Sequence, residues 1–254
     1  MHLSVAGRTA LITGASSGLG EHFARLLSKG GANVVIAARR VERIEALAKE
    51  LDSPAAGALA VEMDVTDEAS IIAAYNAAEA RFGVVDTVIA NAGVTIAGPA
   101  IKSPYETLRT VTDTNFVGVY LTAREAARRL IAAGGEMTSR GRIILTGSIT
   151  AHMTTCGDAA YAATKAAVAH LGRNLAREWA RKGINVNTIQ PGYISTELNR
   201  EGLASEAGQR LIGSFPRRRT VSLEALDGML LYFASDVSAE TTGAVIDIDD
   251  GQSL

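Results

Sequence analysis

The chain has 254 residues, a formal net charge of −2, 47% hydrophobic residues and 20% charged residues. That length is ample for a sizeable buried core, and the even charge balance gives no support for a nucleic-acid or membrane-surface role. The lone cysteine, Cys156, excludes an internal disulfide and a clustered thiolate metal site, so no metal is expected. No apolar run approaches a membrane span, and Met1–Arg8 shows no charged segment followed by an apolar signal core. The expectation is a soluble, cytoplasmic protein.

Short apolar runs alternate with longer amphipathic ones. Strands are predicted over Arg8–Thr13, Asn33–Ala38, Ala58–Asp64, Thr87–Asn91, Arg142–Gly147, Asn185–Gln190 and Ala244–Ile248. Several are rich in β-branched residues and apolar on both faces, as a buried parallel sheet requires. Helices are predicted over Leu19–Gly30, Arg43–Leu51, Glu68–Phe82, Tyr105–Ala133, Ala159–Lys182 and Glu224–Ala234. Thr66-Asp67-Glu68 reads as a helix start, Gly30-Gly31 and Gly134-Gly135 as stops. The alternation implies an α/β fold: one domain built on a doubly wound parallel sheet of about seven strands, helices on both faces. The segment 194–219 breaks the rhythm, with Gly202, Gly208, Gly213 and Pro216 among mixed charges. Such an insertion reads as a substrate loop or a mobile segment.

Two motifs carry chemistry. The first strand runs into Thr13-Gly14-Ala15-Ser16-Ser17-Gly18-Leu19-Gly20 and then a helix. Glycines there permit close backbone approach, and the helix start offers unpaired N–H groups to a pyrophosphate. The second motif is Tyr161 with Lys165 four residues on, stacked on one helix face. A phenol with an ordinary pKa of about 10 is a poor acid near neutrality. A nearby ammonium favours its ionisation and makes the pair a tunable proton donor and acceptor.

With Asp64-Val65, Asn91-Ala92-Gly93, Asn115, Ser148 and Pro191-Gly192 with Thr196, these motifs stand in the order and near the spacing of one family. The chain resembles the short-chain dehydrogenase/reductase family over essentially its whole length. The resemblance implies a Rossmann-type fold and a nicotinamide dinucleotide cofactor. It assigns the phosphates to Gly14, Ser16, Ser17, Gly18, Leu19 and Gly20, the adenine to Asp64 and Val65, and the adjacent ribose to Asn91, Ala92 and Gly93. Pro191, Gly192, Ile194 and Thr196 would border the nicotinamide. Ala38 stands where NAD-preferring relatives place a carboxylate, and Arg39 and Arg40 follow it. A guanidinium can grip a 2′-phosphate through paired hydrogen bonds, so NADP(H) is favoured over NAD(H). Ser17 stands where some NADP-dependent relatives carry a base.

The reaction implied is hydride transfer between the nicotinamide and a ketone or secondary alcohol carbon. Tyr161 would act as general acid/base and Lys165 would lower its pKa and hold the nicotinamide ribose. Ser148 would hydrogen-bond the carbonyl oxygen, and Asn115 would hold a water that relays protons from Lys165. Ser148, Tyr161, Tyr193, Thr150 and Met153 are the candidate substrate contacts, with Thr95 and Ile96 weaker ones. His152 and Cys156 read as pocket-lining or packing residues. The nearest alternative is a 3-oxoacyl-thioester reductase, for which Arg124, Arg128 and Arg129 would be the docking face. A catalytically silent dinucleotide-binding regulator is the alternative of another class. Relatives commonly form tetramers through the two long helices, so a homotetramer is expected, acting on a small molecule.

Overall fold

Strand segments that are apolar on both faces must be covered from both sides. The computed structural model, which describes residues 3–154, 156–197 and 199–254, meets this with one seven-stranded sheet between two helical layers. The strands are β1 (Thr9–Thr13), β2 (Asn33–Ala38), β3 (Ala58–Glu62), β4 (Thr87–Ala90), β5 (Gly141–Thr146), β6 (Ile184–Pro191) and β7 (Val245–Ile248). All pairings are parallel, in the spatial order β3-β2-β1-β4-β5-β6-β7. The helices are α1 (Gly18–Lys29), α2 (Val41–Leu51), α3 (Glu68–Phe82), α4 (Tyr105–Thr112), α5 (Gly118–Ala132), α6 (Gly135–Thr138), α7 (Ala159–Trp179), α8 (Arg200–Ala204), α9 (Glu206–Ser214) and α10 (Asp227–Ala234).

Side chains alternate across the sheet, as the pleat dictates. Leu11, in register with Val35 and Val88, joins Ile71 of α3, Ala126 of α5 and Val168 of α7. Its neighbours Ala10 and Ile12 point the other way, toward Phe23 and Leu27 of α1, Ile44 of α2 and Leu230 and Phe233 of α10. Each such buried aliphatic or aromatic side chain contributes about 1.5–3 kcal/mol relative to exposure.

Three departures from the sequence-based expectation are informative. The helix expected over Tyr105–Ala133 is broken by a wide π turn at Asp113–Val117, so α4 and α5 are separate pieces of one path. Such one-turn widenings re-aim a side chain. The segment 194–219 holds two short helices, α8 and α9, the second capped by the Ser205 hydroxyl accepting from Gly208 N at 3.1 Å. Leu203 and Phe215 are buried in it and account for its order. Leu198, in the same segment, lies outside the described residues. The last helix starts at Asp227 instead of Glu224, because Leu223–Leu226 forms a tight 3-10 turn first.

At the opposite edge from the glycine loop, Arg8 is 1% exposed. Its Nη1 donates to Arg140 O at 2.9 Å, Thr87 Oγ1 at 3.2 Å and Asp86 Oδ1 at 3.3 Å, and its Nη2 pairs with Asp236. This one side chain ties β1 to the starts of β4 and β5 and to the turn after α10. Removing one partner of such a buried pair leaves the other uncompensated. Arg8→Met is therefore expected to lower unfolding stability by about 3 kcal/mol. Urea denaturation measures this, and a change under about 1 kcal/mol would show the network to be dispensable.

Candidate functional site

The strand order reverses between β1 and β4, and loops leaving their C-terminal ends diverge there to form a crevice. Thr13, the last residue of β1, holds the crevice shut at its base. Its Oγ1 accepts from Asn91 N and Ala92 N, each at 3.0 Å, and its carbonyl accepts from Asn91 Nδ2 at 2.9 Å. Asn91 is thus fixed beside the glycine loop by two bonds to Thr13, with a third from Ala92. Thr13 was not singled out from the sequence, although it opens the glycine motif.

The loop fits a pyrophosphate on steric grounds. A Cβ on Gly20 would lie 2.5 Å from Gly14 O and 2.7 Å from Asn91 Nδ2, so only glycine permits this approach. Gly18, at φ +57, faces the Thr196 methyl across a gap that its own Cβ would narrow to 3.6 Å. Ser16 and Ser17 lie at the rim and α1 starts at Gly18, aiming its free N–H groups into the gap. Leu19 packs its side chain back onto the inner cluster of Phe23 and Leu27.

Arg39 and Arg40 diverge. Arg39 is exposed, 3.8 Å from the Asp64 carboxylate. Asp64 accepts from Thr66 N at 2.9 Å and Thr66 Oγ1 at 2.8 Å. Partial burial works to raise its pKa, but these bonds and Arg39 outweigh it and hold it below the usual carboxylate range. Arg40 folds back over the glycine loop, with Nε donating to Ser16 Oγ at 3.0 Å and Nη2 to Ser17 Oγ at 2.5 Å. A basic side chain thus lies against Ser17 in space, where the sequence itself has none. Val65 is buried against Gly118, where a Cβ would meet it at 2.7 Å.

The second half of the crevice is built on β5, α5 and α7. Asn115 is fully buried in the π turn. Its Oδ1 accepts from Val94 N and its Nδ2 donates to Val94 O, both at 2.8 Å, with Thr164 Oγ1 at 3.4 Å. Ser148, at the end of β5, accepts from Thr150 N at 3.2 Å and Thr150 Oγ1 at 3.0 Å. Thr150, expected to touch substrate, spends its hydroxyl on Ser148. A hydroxyl has one proton to donate, and that of Ser148 goes to the Tyr161 phenol.

Burial is the largest influence on Tyr161 and pushes its pKa up to about 12; the Ser148 hydrogen bond pulls down, while Asp158 and Tyr193 push up further. The expected lowering by Lys165 therefore does not set the value here. Lys165 is 3% exposed, and burial pushes its pKa down to about 8. Its Nζ donates to Thr146 O at 2.8 Å and lies 5.6 Å from the Tyr161 ring centroid. It also lies beside Gly93, where a Cβ would come within 3.6 Å of Nζ and 3.4 Å of Asn115 Oδ1. Thr164 and Thr146, partners of Asn115 and Lys165, had no signal in the sequence beyond adjacency to the motif.

Pro191 ends β6, and Gly192, Ile194 and Thr196 follow it. Gly192 packs under Gln252, whose Oε1 accepts from Tyr193 N at 2.6 Å. Tyr193 stacks on Phe215 with ring centroids 5.5 Å apart, and Ile194 bridges to Val221, so the two ends of 194–219 are joined. Met153 is half-buried, Thr95 likewise, and Ile96 and Cys156 are exposed. His152 sits 3.6 Å from Asp247, which also accepts from Gln190 Nε2 at 2.6 Å. Among the described residues, no three His, Cys, Asp or Glu side chains group to hold a metal.

A seven-stranded parallel α/β sheet with a glycine-lined crevice and a Ser–Tyr–Lys cluster at its C-terminal edge defines a dinucleotide-dependent oxidoreductase. The chain belongs to the short chain dehydrogenase family, whose model matches residues 8–207. It is 36% identical over 251 residues to cis-4-hydroxycyclohexanecarboxylate dehydrogenase of Sinomonas cyclohexanicum, covering 97% of this chain and 96% of that one. It superposes with TM-score 0.91 and 33% identity on a gluconate 5-dehydrogenase from Burkholderia cenocepacia in complex with NADP and tartrate, covering 98% and 96% of the two chains. A 3-ketoacyl-(acyl-carrier-protein) reductase from Brucella melitensis complexed with NADH gives 0.90 and 32%, covering 99% and 100%. The chain is accordingly an NAD(P)-dependent enzyme acting on CH–OH and C=O groups.

Gly20→Ala tests the crevice. The methyl must displace backbone at 2.5 Å, so dinucleotide affinity is expected to fall by about tenfold or more and stability by about 1–3 kcal/mol. Fluorescence titration with NADPH reads the first, and unchanged affinity would remove the loop from the cofactor site.

Proposed function

We propose that this enzyme is an NADP(H)-dependent reductase of ketones, or dehydrogenase of secondary alcohols, working as one domain with a substrate loop at 194–219. The observation that carries the reading is the Ser148 hydroxyl hydrogen-bonded to the half-buried Tyr161 phenol, with Lys165 5.6 Å from its ring. The bound dinucleotide supplies or accepts the hydride.

The residues of the chain handle position and protons. In reduction, Tyr161 donates to the carbonyl oxygen, and the Ser148 hydroxyl turns its one proton from the phenol to the same oxygen, so that both stabilise the charge that grows there. Tyr161, neutral across the physiological range because burial holds its pKa near 12, gives its proton to the alkoxide. Lys165, with one N–H committed to Thr146 O, keeps two donors for the nicotinamide ribose hydroxyls. Its ammonium makes the transient phenolate less costly. Asn115, its side chain committed to Val94, leaves its π-turn backbone to hold a relay water. Tyr193, Met153 and Ser148 form the substrate side, and the apolar character of Tyr193 and Phe215 favours a substrate with hydrophobic bulk.

NADP(H) is the favoured cofactor because Ala38 brings no carboxylate and Arg40 lies over Ser16 and Ser17, while Arg39 stands by Asp64. A 3-oxoacyl-thioester substrate is less well supported. Of the basic cluster it would need, Arg124 pairs with Glu68, and Arg128 and Arg129 pair with Glu125, so little charge is left for an acidic carrier. A silent regulator has no use for all four of Asn115, Ser148, Tyr161 and Lys165 in one place. A homotetramer fits the exposed Tyr105, Leu108, Val117 and Tyr120 along α4, the π turn and α5. A cytoplasmic location and a small-molecule substrate complete the proposal; among the described residues, no helix is long and apolar enough to cross a membrane.

Oxidation of NADPH and NADH against ketones, aryl ketones, steroids, sugars and 3-oxoacyl thioesters tests the reading. Turnover with NADPH that falls by about 10²–10⁴ in Tyr161→Phe is expected; turnover retained by the variant would overturn the assignment. The pH profile gives a second check. The Lys165 ammonium is present below about pH 8 and lost above it. Ketone reduction should therefore hold steady toward acid and decline above about pH 8. Alcohol oxidation, which needs Tyr161 deprotonated, should rise with pH. Lys165→Met should remove the inflection near 8 in reduction.

A further inference from the structure

Arg40, over the glycine loop, and Arg43 beyond it are already engaged by an anion of the chain itself. Glu197, the residue after Thr196, reaches across from the root of the 194–219 segment. Its Oε1 lies 3.1 Å from Arg40 Nη1, its Oε2 3.3 Å from the same nitrogen and 2.7 Å from Arg43 Nη1. Arg40 at the same time contacts Ser16 Oγ and Ser17 Oγ through Nε and Nη2. In these contacts the serine oxygens accept, so each hydroxyl proton remains able to donate to an anion. One carboxylate, two guanidiniums and two hydroxyls thus converge on the rim where an adenine-ribose 2′-phosphate would be read. Glu197 had no signal in the sequence: it is 157 positions from Arg40 and belongs to no motif.

We infer that Glu197 is a cofactor-specificity residue, an internal anion that competes with the 2′-phosphate for Arg40 and Arg43. The inference rests on the reading that Arg40 faces the 2′-phosphate. All three side chains are about half exposed, so their pairing is weak enough to exchange. A phosphate carries up to two negative charges and matches the planar guanidinium fork better than a shared carboxylate does. It therefore wins the competition, but with an affinity reduced by the carboxylate it displaces and then repels. NAD(H), with hydroxyls at that position, leaves the Glu197 pairs undisturbed. The carboxylate narrows the margin between the two cofactors, which Arg40 alone would widen.

The test is titration of wild type, Glu197→Gln, Glu197→Ala and Arg40→Ala with NADPH, NADH, adenosine 2′,5′-bisphosphate and 5′-AMP at one ionic strength. Glu197→Gln and Glu197→Ala are expected to tighten NADPH and the bisphosphate by about three- to tenfold and leave NADH and 5′-AMP within about twofold. An unchanged NADPH-to-NADH ratio in both Glu197 variants would overturn the inference. So would weaker NADH binding, which would make Glu197 a ribose ligand instead. Arg40→Ala separates the two claims. If it leaves the ratio unchanged, Arg40 does not face the 2′-phosphate and both readings fall. If it lowers the ratio while the Glu197 variants do nothing, only the competition is lost.

Discussion

A buried asparagine that satisfies both polar groups of one peptide holds the two halves of the crevice together. Asn115 accepts from Val94 N–H and donates to Val94 C=O, each at 2.8 Å, and touches Thr164 of α7 with its remaining donor. Val94 belongs to the loop that leaves β4 beside the glycine turn, whereas Thr164 lies next to Lys165. A polar side chain with no exposure is tolerable only when its groups are paired, and here the pairing also sets a distance. The π turn is what allows it: widening the helix by one residue at Asp113–Val117 turns Asn115 inward without breaking the path into α5. Gly118, one residue beyond, then settles on Val65, so the same helix start also fixes the far wall of the crevice.

Burial explains why the sheet treats charge differently at its two ends. At the N-terminal edge, Arg8 is surrounded by carbonyl and carboxylate oxygens, so its charge is matched on the spot. At the C-terminal edge, Lys165 has a carbonyl and an aromatic ring but no carboxylate among its recorded contacts, and burial pushes its pKa down. Tyr161, similarly enclosed, is pushed up. The two shifts come from one cause acting on groups of opposite charge type. They leave a phenol that keeps its proton and an ammonium held near its titration range, which is the division of labour a reductase asks of an acid and its supporting cation.

The architecture was legible because each strand carries its own burial pattern. Val34–Ala37 and Leu11 are apolar on consecutive positions, which only a doubly covered strand explains. The helix over Glu68–Phe82 was readable to the residue, its Asp67 side chain capping Ala69 N at 2.9 Å. The Gly14–Gly20 loop and the Tyr161/Lys165 pair were readable for the same reason: they are local and their chemistry depends on spacing. What stayed hidden depends on long-range contact. The π turn answers to Val94 and Val65, neither of which is near Asn115 in sequence. Helices α8 and α9 are held by burial of Leu203 and Phe215, not by a strong periodic stripe. The pairing of the Thr150 hydroxyl with Ser148 likewise had no local signal.

The segment between Ile194 and Val221 shows how a shared scaffold can serve different substrates. Its ends are joined by the Ile194–Val221 bridge and the Tyr193–Phe215 ring contact, and its root is seated on Gln252 and the Asp249 turn. Asp249 itself accepts from Gly251 N, Ser253 N and Ser253 Oγ, which fixes the C-terminal residues beneath it. A loop closed at its base loses little scaffold stability when its interior changes. Ser148, Tyr161, Lys165 and Asn115, which the proposed mechanism uses, stand outside that closed excursion, just past β5, on α7 and in the π turn. With 194–219 as the proposed substrate loop, its interior could change without disturbing Ser148, Tyr161 and Lys165. That separation agrees with relatives named for a sugar acid and an acyl thioester superposing on one sheet, and with a sequence relative named for a cyclic hydroxy acid.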